Sequence, residues 1–387
     1  MRSTKLWLYG LILIAAVLSI LLVMRALDTM LPGVQLPPAI GELTVERVDI
    51  VPEGFVAKIR ANSQEPMQIA QVMVDSAYWV FAQSPPGPLS RGAGAMVTIN
   101  FPWVAGDAHH LKFVTSVGET FEHTIDIALE TPSLSIRSLR NHALLGILVG
   151  LLPVALGMLS FPILNTLGTH GLEFILAVTV GLLAYLFIDM TFDGLEIAAR
   201  ASSMFGGQLL VFVPLLLTLA ALQSLSQRSS SSDNGTRIAI LIALGIGLHN
   251  LGEGLAIGAS FAVNKAAMGA FLVVGFTLHN ITEGVGIVAP LVNKKPRRRF
   301  LCLLALIAGL PVVPGLWLGA YSFAPHWAAI YFGVGAGAIA QVVVEIDRFF
   351  RTRPDSQFAN TRFSHTSVAG YCAGVSLMYA TALLISV

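Results

Sequence analysis

The chain is short of cysteine and short of charge. Only two cysteines occur in 387 residues, Cys302 and Cys372, and both fall inside apolar stretches. The polar part of the chain therefore has none, which argues against a disulfide framework and against a thiolate zinc site. Charged residues make up 12% and the formal net charge is +1, so the charge balance gives no argument for binding nucleic acid. Apolar residues are abundant instead, at 55%, with 36 glycines and a strongly positive mean hydropathy. Such a profile excludes a soluble enzyme with one core and points to a multi-span membrane protein.

The first apolar run covers about Leu6 to Met24 and follows Arg2 and Lys5. It is long enough to span a membrane and no small-x-small cleavage site follows it, so an uncleaved signal anchor is expected over residues 1–29. Residues 30–138 differ in character. Segments such as Leu43 to Val51, Gln68 to Val74, Ala95 to Phe101 and His110 to Val117 alternate apolar and polar residues, and turn signals such as Ser84-Pro-Pro-Gly-Pro88 and Arg91-Gly-Ala-Gly94 separate them. That period of two predicts half-buried strands and an extracytoplasmic β-sandwich. From 139 to 387 eight apolar segments follow, approximately 142–164, 171–193, 206–226, 238–263, 267–292, 300–323, 327–349 and 365–386. Each is long enough to cross a hydrocarbon layer of about 30 Å as a helix, the open-ended element that satisfies its own backbone there. The expected fold class is an all-α polytopic membrane bundle of eight helices behind the anchor and the β domain.

Basic residues orient the chain. Placing Arg2 and Lys5 inside puts Arg228, Arg237, the run Lys294-Lys-Pro-Arg-Arg-Arg299, Arg348, Arg351, Arg353 and Arg362 on the same side. Apart from the β domain, the other side keeps Arg25, Arg137, Arg140, Arg200 and Lys265. The positive-inside rule then predicts a plasma (inner) membrane protein with the β domain and C-terminus outside and the KKPRRR loop cytoplasmic.

The most telling pattern is a repeat. His249-Asn-Leu-Gly-Glu-Gly-Leu-Ala-Ile-Gly258 recurs 30 residues later as His279-Asn-Ile-Thr-Glu-Gly-Val-Gly-Ile-Val288, each copy inside an apolar segment. Ionisable side chains in a span are costly and mark a functional site with a partner facing the bundle. Residues four apart share a helix face, so His249 and Glu253 lie together with Asn250 at the edge, and His279, Glu283 and Asn280 repeat the arrangement. The fourth and fifth segments run antiparallel, and each cluster falls near the middle of its span, so the two sets meet at similar depth, where carriers place their sites. Imidazole plus carboxylate suits Zn, Fe(II), Mn or Co, and the lack of thiolate argues against Cu(I). The plain alternative, a polar network that glues two helices, is disfavoured by the two matching copies.

On these residues the chain resembles the ZIP (zinc/iron-regulated transporter-like) family, whose signature is His-Asn-x-x-Glu-Gly in the fourth and fifth of eight helices. Gly309-Leu-Pro-Val-Val-Pro-Gly315 in the sixth segment and Gly333-Val-Gly-Ala-Gly337 in the seventh are further, weaker similarities. The resemblance covers about 142–387. It implies a metal site of His249, Asn250, Glu253, His279, Asn280 and Glu283, and uptake of Zn2+ (or Fe2+, Mn2+, Co2+ or Cd2+) toward the cytoplasm as transported substrate, with no prosthetic group. The expected partners are the divalent ion and the lipid bilayer, with a homodimer as a candidate assembly and no nucleic acid. Three departures stand out. Gly252 and Thr282 precede the motif acids where relatives commonly have Pro. A short Ser-rich run, Gln227 to Gly235, replaces a His-rich loop. Leu182, Leu183 and Ala184 stand where relatives often have Met or a polar residue, which leaves open whether the second helix supplies a ligand.

Other polar residues have plainer readings beside functional ones. Asp189, Asp193 and Glu196 are either an acidic entrance that gathers cations or a solvated helix end. Glu345 and Asp347 are exit candidates, although Glu345 can pair with Arg348. In the β domain Asp107, His109, His110, Glu119, Glu122 and His123 read more simply as ordinary exposed polar residues scattered over both strand faces than as metal capture. An intramembrane zinc-dependent hydrolase is an alternative function, but no His-Glu-x-x-His pair accompanies the motifs. A metal-binding membrane sensor or receptor is the other.

Overall fold

The computed structural model describes residue 19 and residues 41–228, 234–262, 266–292, 294–351 and 364–385. The expected anchor, Arg25, Lys265, Arg353, Arg362 and most of the Ser-rich run lie outside the described residues.

Among the described residues, eight strands form two four-stranded antiparallel sheets. One has the order β1 (Glu42–Val51), β2 (Gly54–Asn62), β6 (Gly94–Asn100), β5 (Phe81–Ser84); the other has β4 (Ala77–Trp79), β3 (Ile69–Val74), β7 (His109–Thr115), β8 (Thr120–Ile125). The alternation seen in the sequence becomes burial: in β6, Ala95, Val97 and Ile99 point inward while their neighbours are exposed. The inward residues of both sheets, Phe55, Ile59, Val97 and Ile99 from one and Val72, Val74, Leu111 and Phe113 from the other, share a single core. That is the layered arrangement of a sandwich. Gly54 starts β2 at φ +144, and a Cβ there would meet the Ile99 carbonyl at 2.0 Å; only glycine fits this turn.

The rest of the described chain is helical. In chain order the helices are α1 (Ile136–Gly146), a π turn (Ile147–Leu151), α2 (Leu152–Met158), α3 (Phe161–Leu164), α4 (Thr169–Ala199), α5 (Leu209–Arg228), α6 (Asn234–Ala262), α7 (Ala266–Val288), α8 (Arg298–Gly309), α9 (Val312–Ser322), α10 (Pro325–Arg351) and α11 (His365–Ile385). Among the described residues, seven helical stretches are long and apolar enough to cross a membrane: Ile136–Leu164, His170–Ala199, Ser203–Gln227, Gly235–Ala262, Met268–Leu291, Arg298–Ser322 and Pro325–Arg348. They coincide with the first seven predicted segments. The eighth forms α11, whose Gly370 and Gly374 rest on the backbone of α4 at Phe174 and Val178.

In two of these stretches the helix changes at a proline. Pro153 has no N–H to give the Val149 carbonyl, and the π turn sits there. Pro311 falls between α8 and α9. Close crossings hold the bundle together. Gly315 and Gly319 of α9 lie on Leu251 and Leu255 of α6, while Gly254 and Gly258 of α6 lie on Val312 and Leu316 of α9. A Cβ at any of the four would come within 2.3 Å of a backbone oxygen. Small residues on both sides let the two backbones touch, the packing that membrane helices favour.

The β domain sits on one end of the bundle. Glu42 accepts hydrogen bonds from Ser203, His326 lies 3.7 Å from Glu46, and the Arg60 guanidinium stands 5.5 Å above the Phe205 ring. The contacts fall in the α4–α5 link and at the start of α10.

Candidate metal centre

Helices α6 and α7 each run unbroken through their motif, so the i, i+4 spacing brings His249 over Glu253 and His279 over Glu283. All six motif residues are buried, none more than 5% exposed. His279 Nε2 lies 2.5 Å from Glu253 Oε1 and His249 Nε2 lies 2.9 Å from the same oxygen. One carboxylate thus sits between the imidazoles of both copies. His249 Nε2 is 3.8 Å from Glu283 Oε1, and the two imidazole rings are 6.2 Å apart. One ligand atom each of His249, His279 and Glu283 lies within 4.8 Å of the others.

The asparagines serve the backbone. Asn250 donates to the Ala308 carbonyl at 2.9 Å, beside the break at Pro311, and Asn280 donates to the Val149 carbonyl at 3.0 Å. Val149 is the carbonyl that Pro153 cannot reach by a hydrogen bond. Asn280 thus supplies the donor that Pro153 lacks, and Asn250 donates to a carbonyl near the end of α8, where backbone groups need partners inside lipid. Their Oδ1 atoms, and both carboxylate oxygens of Glu283, are buried without a hydrogen-bond partner. A buried carboxylate with no donor costs free energy unless a cation compensates it. The free oxygens together with two imidazoles form a donor set suited to a borderline divalent ion.

A residue that the sequence reading passed over completes the wall. Met190 of α4 brings Sδ to 3.4 Å from His249 Nδ1, two turns beyond the leucines at 182 and 183. Its methyl group occupies space left by two glycines: a Cβ on Gly252 would lie 2.4 Å from Met190 Cε, and one on Gly335 would lie 2.6 Å from it. So Gly252, in the place of the commoner proline, makes room for a thioether, and Gly335 of the Gly-rich run in α10 does the same. A signal was available, because Met190 directly follows Asp189, a charged residue within the apolar α4.

Asp189, Asp193 and Glu196 are all exposed on α4. Asp189 is near enough for its charge to act on His249 and His279, while Glu196 is engaged by Arg200 at 2.5 Å, four residues on. The acidic face thus leads from a paired end toward the motif pair. Glu345 is held away from such a role: it is fully buried, and Oε1 accepts from Ser226, from Gln341 at 2.9 Å and from Arg348 at 3.1 Å. The β-domain candidates are scattered. His109 is buried against Phe55 and Phe101 and lies 2.7 Å from Asp75; Glu122 pairs with Lys112 and His110 with Thr124. Among the described residues the grouping that could hold a metal ion is in the bundle.

No curated protein matches the chain. A family model does, that of the ZIP zinc transporters, over residues 218–382. The stretch runs from within α5 to within α11 and includes both motifs and every helix that supplies them. The part of the chain that carries the two His-Asn-x-x-Glu-Gly copies is similar to the ZIP zinc transporter family.

Proposed function

We propose that this protein carries divalent transition metal ions, zinc first and iron or manganese after it, through the bundle toward the cytoplasm. The transport domain is 139–387, the β domain 30–138 lies outside with the C-terminus, and 1–29 anchors the chain in the plasma (inner) membrane. The family match and the apolar helices support a metal transporter rather than an enzyme. The observation that carries the reading is the grouping of His249, His279 and Glu283 between two antiparallel helices, with the Glu283 oxygens buried and unpartnered.

Each residue has a part. Glu253, between the two imidazoles, holds both rings toward one point and passes from imidazole partner to metal ligand when an ion arrives. Glu283 supplies charge, and Asn250 and Asn280 offer Oδ1 while their amides tie α6 to α8 and α7 to the π turn. Asp189 and Asp193 gather cations on the approach. Glycine-to-backbone contacts such as those between α6 and α9 allow one helix group to move against another. Zinc uptake into proteoliposomes, with Fe, Mn, Co and Cd as competitors and a pH probe inside, tests the reading. Uptake that saturates and is competed supports it; leak-level flux for every metal refutes it.

A further inference from the structure

A cavity of about 480 Å³ lies where the β domain meets the end of the bundle. That volume suits an organic group, not a single bare ion. Its charged lining residues are Arg47, Asp49 and Lys58 on the outward face of the first sheet, and its opposite wall includes Trp317 and Tyr321 of α9 and Leu139 of α1.

The charge is unbalanced. Asp49 engages Arg47 through Oδ1 and stands 3.3 Å from Lys58 Nζ through Oδ2, so one carboxylate serves two cations. Arg47 is only 4% exposed, yet its Nη1 has no hydrogen-bond partner. A bulge between Val45 and Arg47 places it there, and a buried guanidinium nitrogen left unpaired is costly without an anion. The excess positive charge disfavours a metal cation.

The other wall selects for an amphiphile. Trp317 and Tyr321 are at the end of the span Arg298–Ser322, and Leu139 is near the start of Ile136–Leu164. Trp317 donates to the Leu139 carbonyl at 3.0 Å and Tyr321 donates to Ser138 at 2.6 Å, so the polar tips are tied down and the ring faces remain for apolar contact. Such rings at a span end mark headgroup level. Leu134, 71% exposed, lines the cavity, and Ile136, 88% exposed, follows two residues on, where acyl chains would run.

We propose that this cavity binds the anionic phosphate headgroup of a phospholipid from the leaflet next to the β domain. The phosphate pairs with Arg47 and Lys58, and the chains lie along Leu139 and Trp317. The lipid would then fasten the β domain to α1 and α9.

Tryptophan quenching tests this with the full chain in phosphatidylcholine vesicles that contain phosphatidylglycerol. The bromine is placed on the chains of one lipid or the other at equal bromine content. Stronger quenching by brominated phosphatidylglycerol is expected, and the excess should disappear in Trp317→Phe and fall several-fold in Lys58→Gln, a change at a partly exposed side chain that the fold tolerates. Equal quenching by the two lipids, or an excess that survives Lys58→Gln, overturns the proposal. Erasure of the excess by inorganic phosphate at matched ionic strength assigns the site to a free anion and overturns the lipid.

Discussion

Glu253 Oε1 lies 2.5 Å from His279 Nε2, so the acid of the first motif is bonded to the imidazole of the second. The two copies meet in one cluster of side chains. Replacing Glu253 by Gln keeps the shape but removes the charge that both imidazoles share. Metal uptake by Glu253→Gln should fall to the level of protein-free vesicles while the variant still inserts and elutes as wild type. Uptake by Glu253→Gln equal to that of wild type would remove this acid from the pathway.

Met190 gives a prediction about preference. A thioether at 3.4 Å from His249 Nδ1 adds a soft group to a set of nitrogen and oxygen donors. Met190→Leu conserves volume and should lower cadmium uptake relative to manganese, with zinc between them. Competition assays with the three ions read the ratio directly; an unchanged ratio means that the sulfur is a packing group only.

Asn280 predicts a stability effect separable from metal. In Asn280→Ala the Val149 carbonyl, opposite the proline at 153, loses its donor. Leaving a buried acceptor unpaired costs about 1–3 kcal/mol. The detergent-solubilised variant should melt earlier than wild type in the presence of chelator, where metal makes no contribution.

Gly315 tests the crossing of α6 and α9. A Cβ there meets the Leu251 carbonyl at 2.2 Å, and forcing extra bulk into a packed contact costs about 1–3 kcal/mol or more. Gly315→Val should lower the melting temperature clearly, and Gly171→Ala, whose nearest contacts are side-chain atoms of Leu167, much less.

Glu42 predicts a pH dependence at the junction with the β domain. Burial alone would raise its pKa, but hydrogen bonds from the Ser203 hydroxyl, Asn62, the Ser203 amide and Thr44 outweigh it and hold the group below its ordinary 4.5. A carboxyl depressed by folding adds stability above the unfolded value and loses it as pH falls through the folded one. The melting temperature of Glu42→Gln should therefore lie below wild type at neutral pH, and the gap should close as the pH drops below 4.5. A gap that stays constant across acid pH would contradict the assignment.

Much of this was readable in the residues. The apolar runs set seven spans and α11 because length and hydropathy alone decide a membrane helix. The His-Asn-x-x-Glu-Gly copies announced their own meeting because helical spacing and mid-span position are both visible in one dimension. In the β domain β6 and β7 were plain from alternation, whereas β4 and β5, with three and four residues, are too short to show a period. Met190 stayed hidden for another reason. Its role depends on space left by Gly252 and Gly335, residues on two other helices, and such coincidences arise only when helices are packed. The proline at 153 announced a break, but not that Asn280 would repair it.

Glu283 is where the account is most exposed, since both its oxygens are buried without a hydrogen-bond partner beside His249 and His279. The most direct measurement is zinc flux into proteoliposomes carrying Glu283→Ala, against wild type reconstituted at equal protein content. Flux at the protein-free level, in a variant that still melts cooperatively, is the predicted result. Flux equal to wild type would mean that ions cross elsewhere, and the site would not be the carrier's.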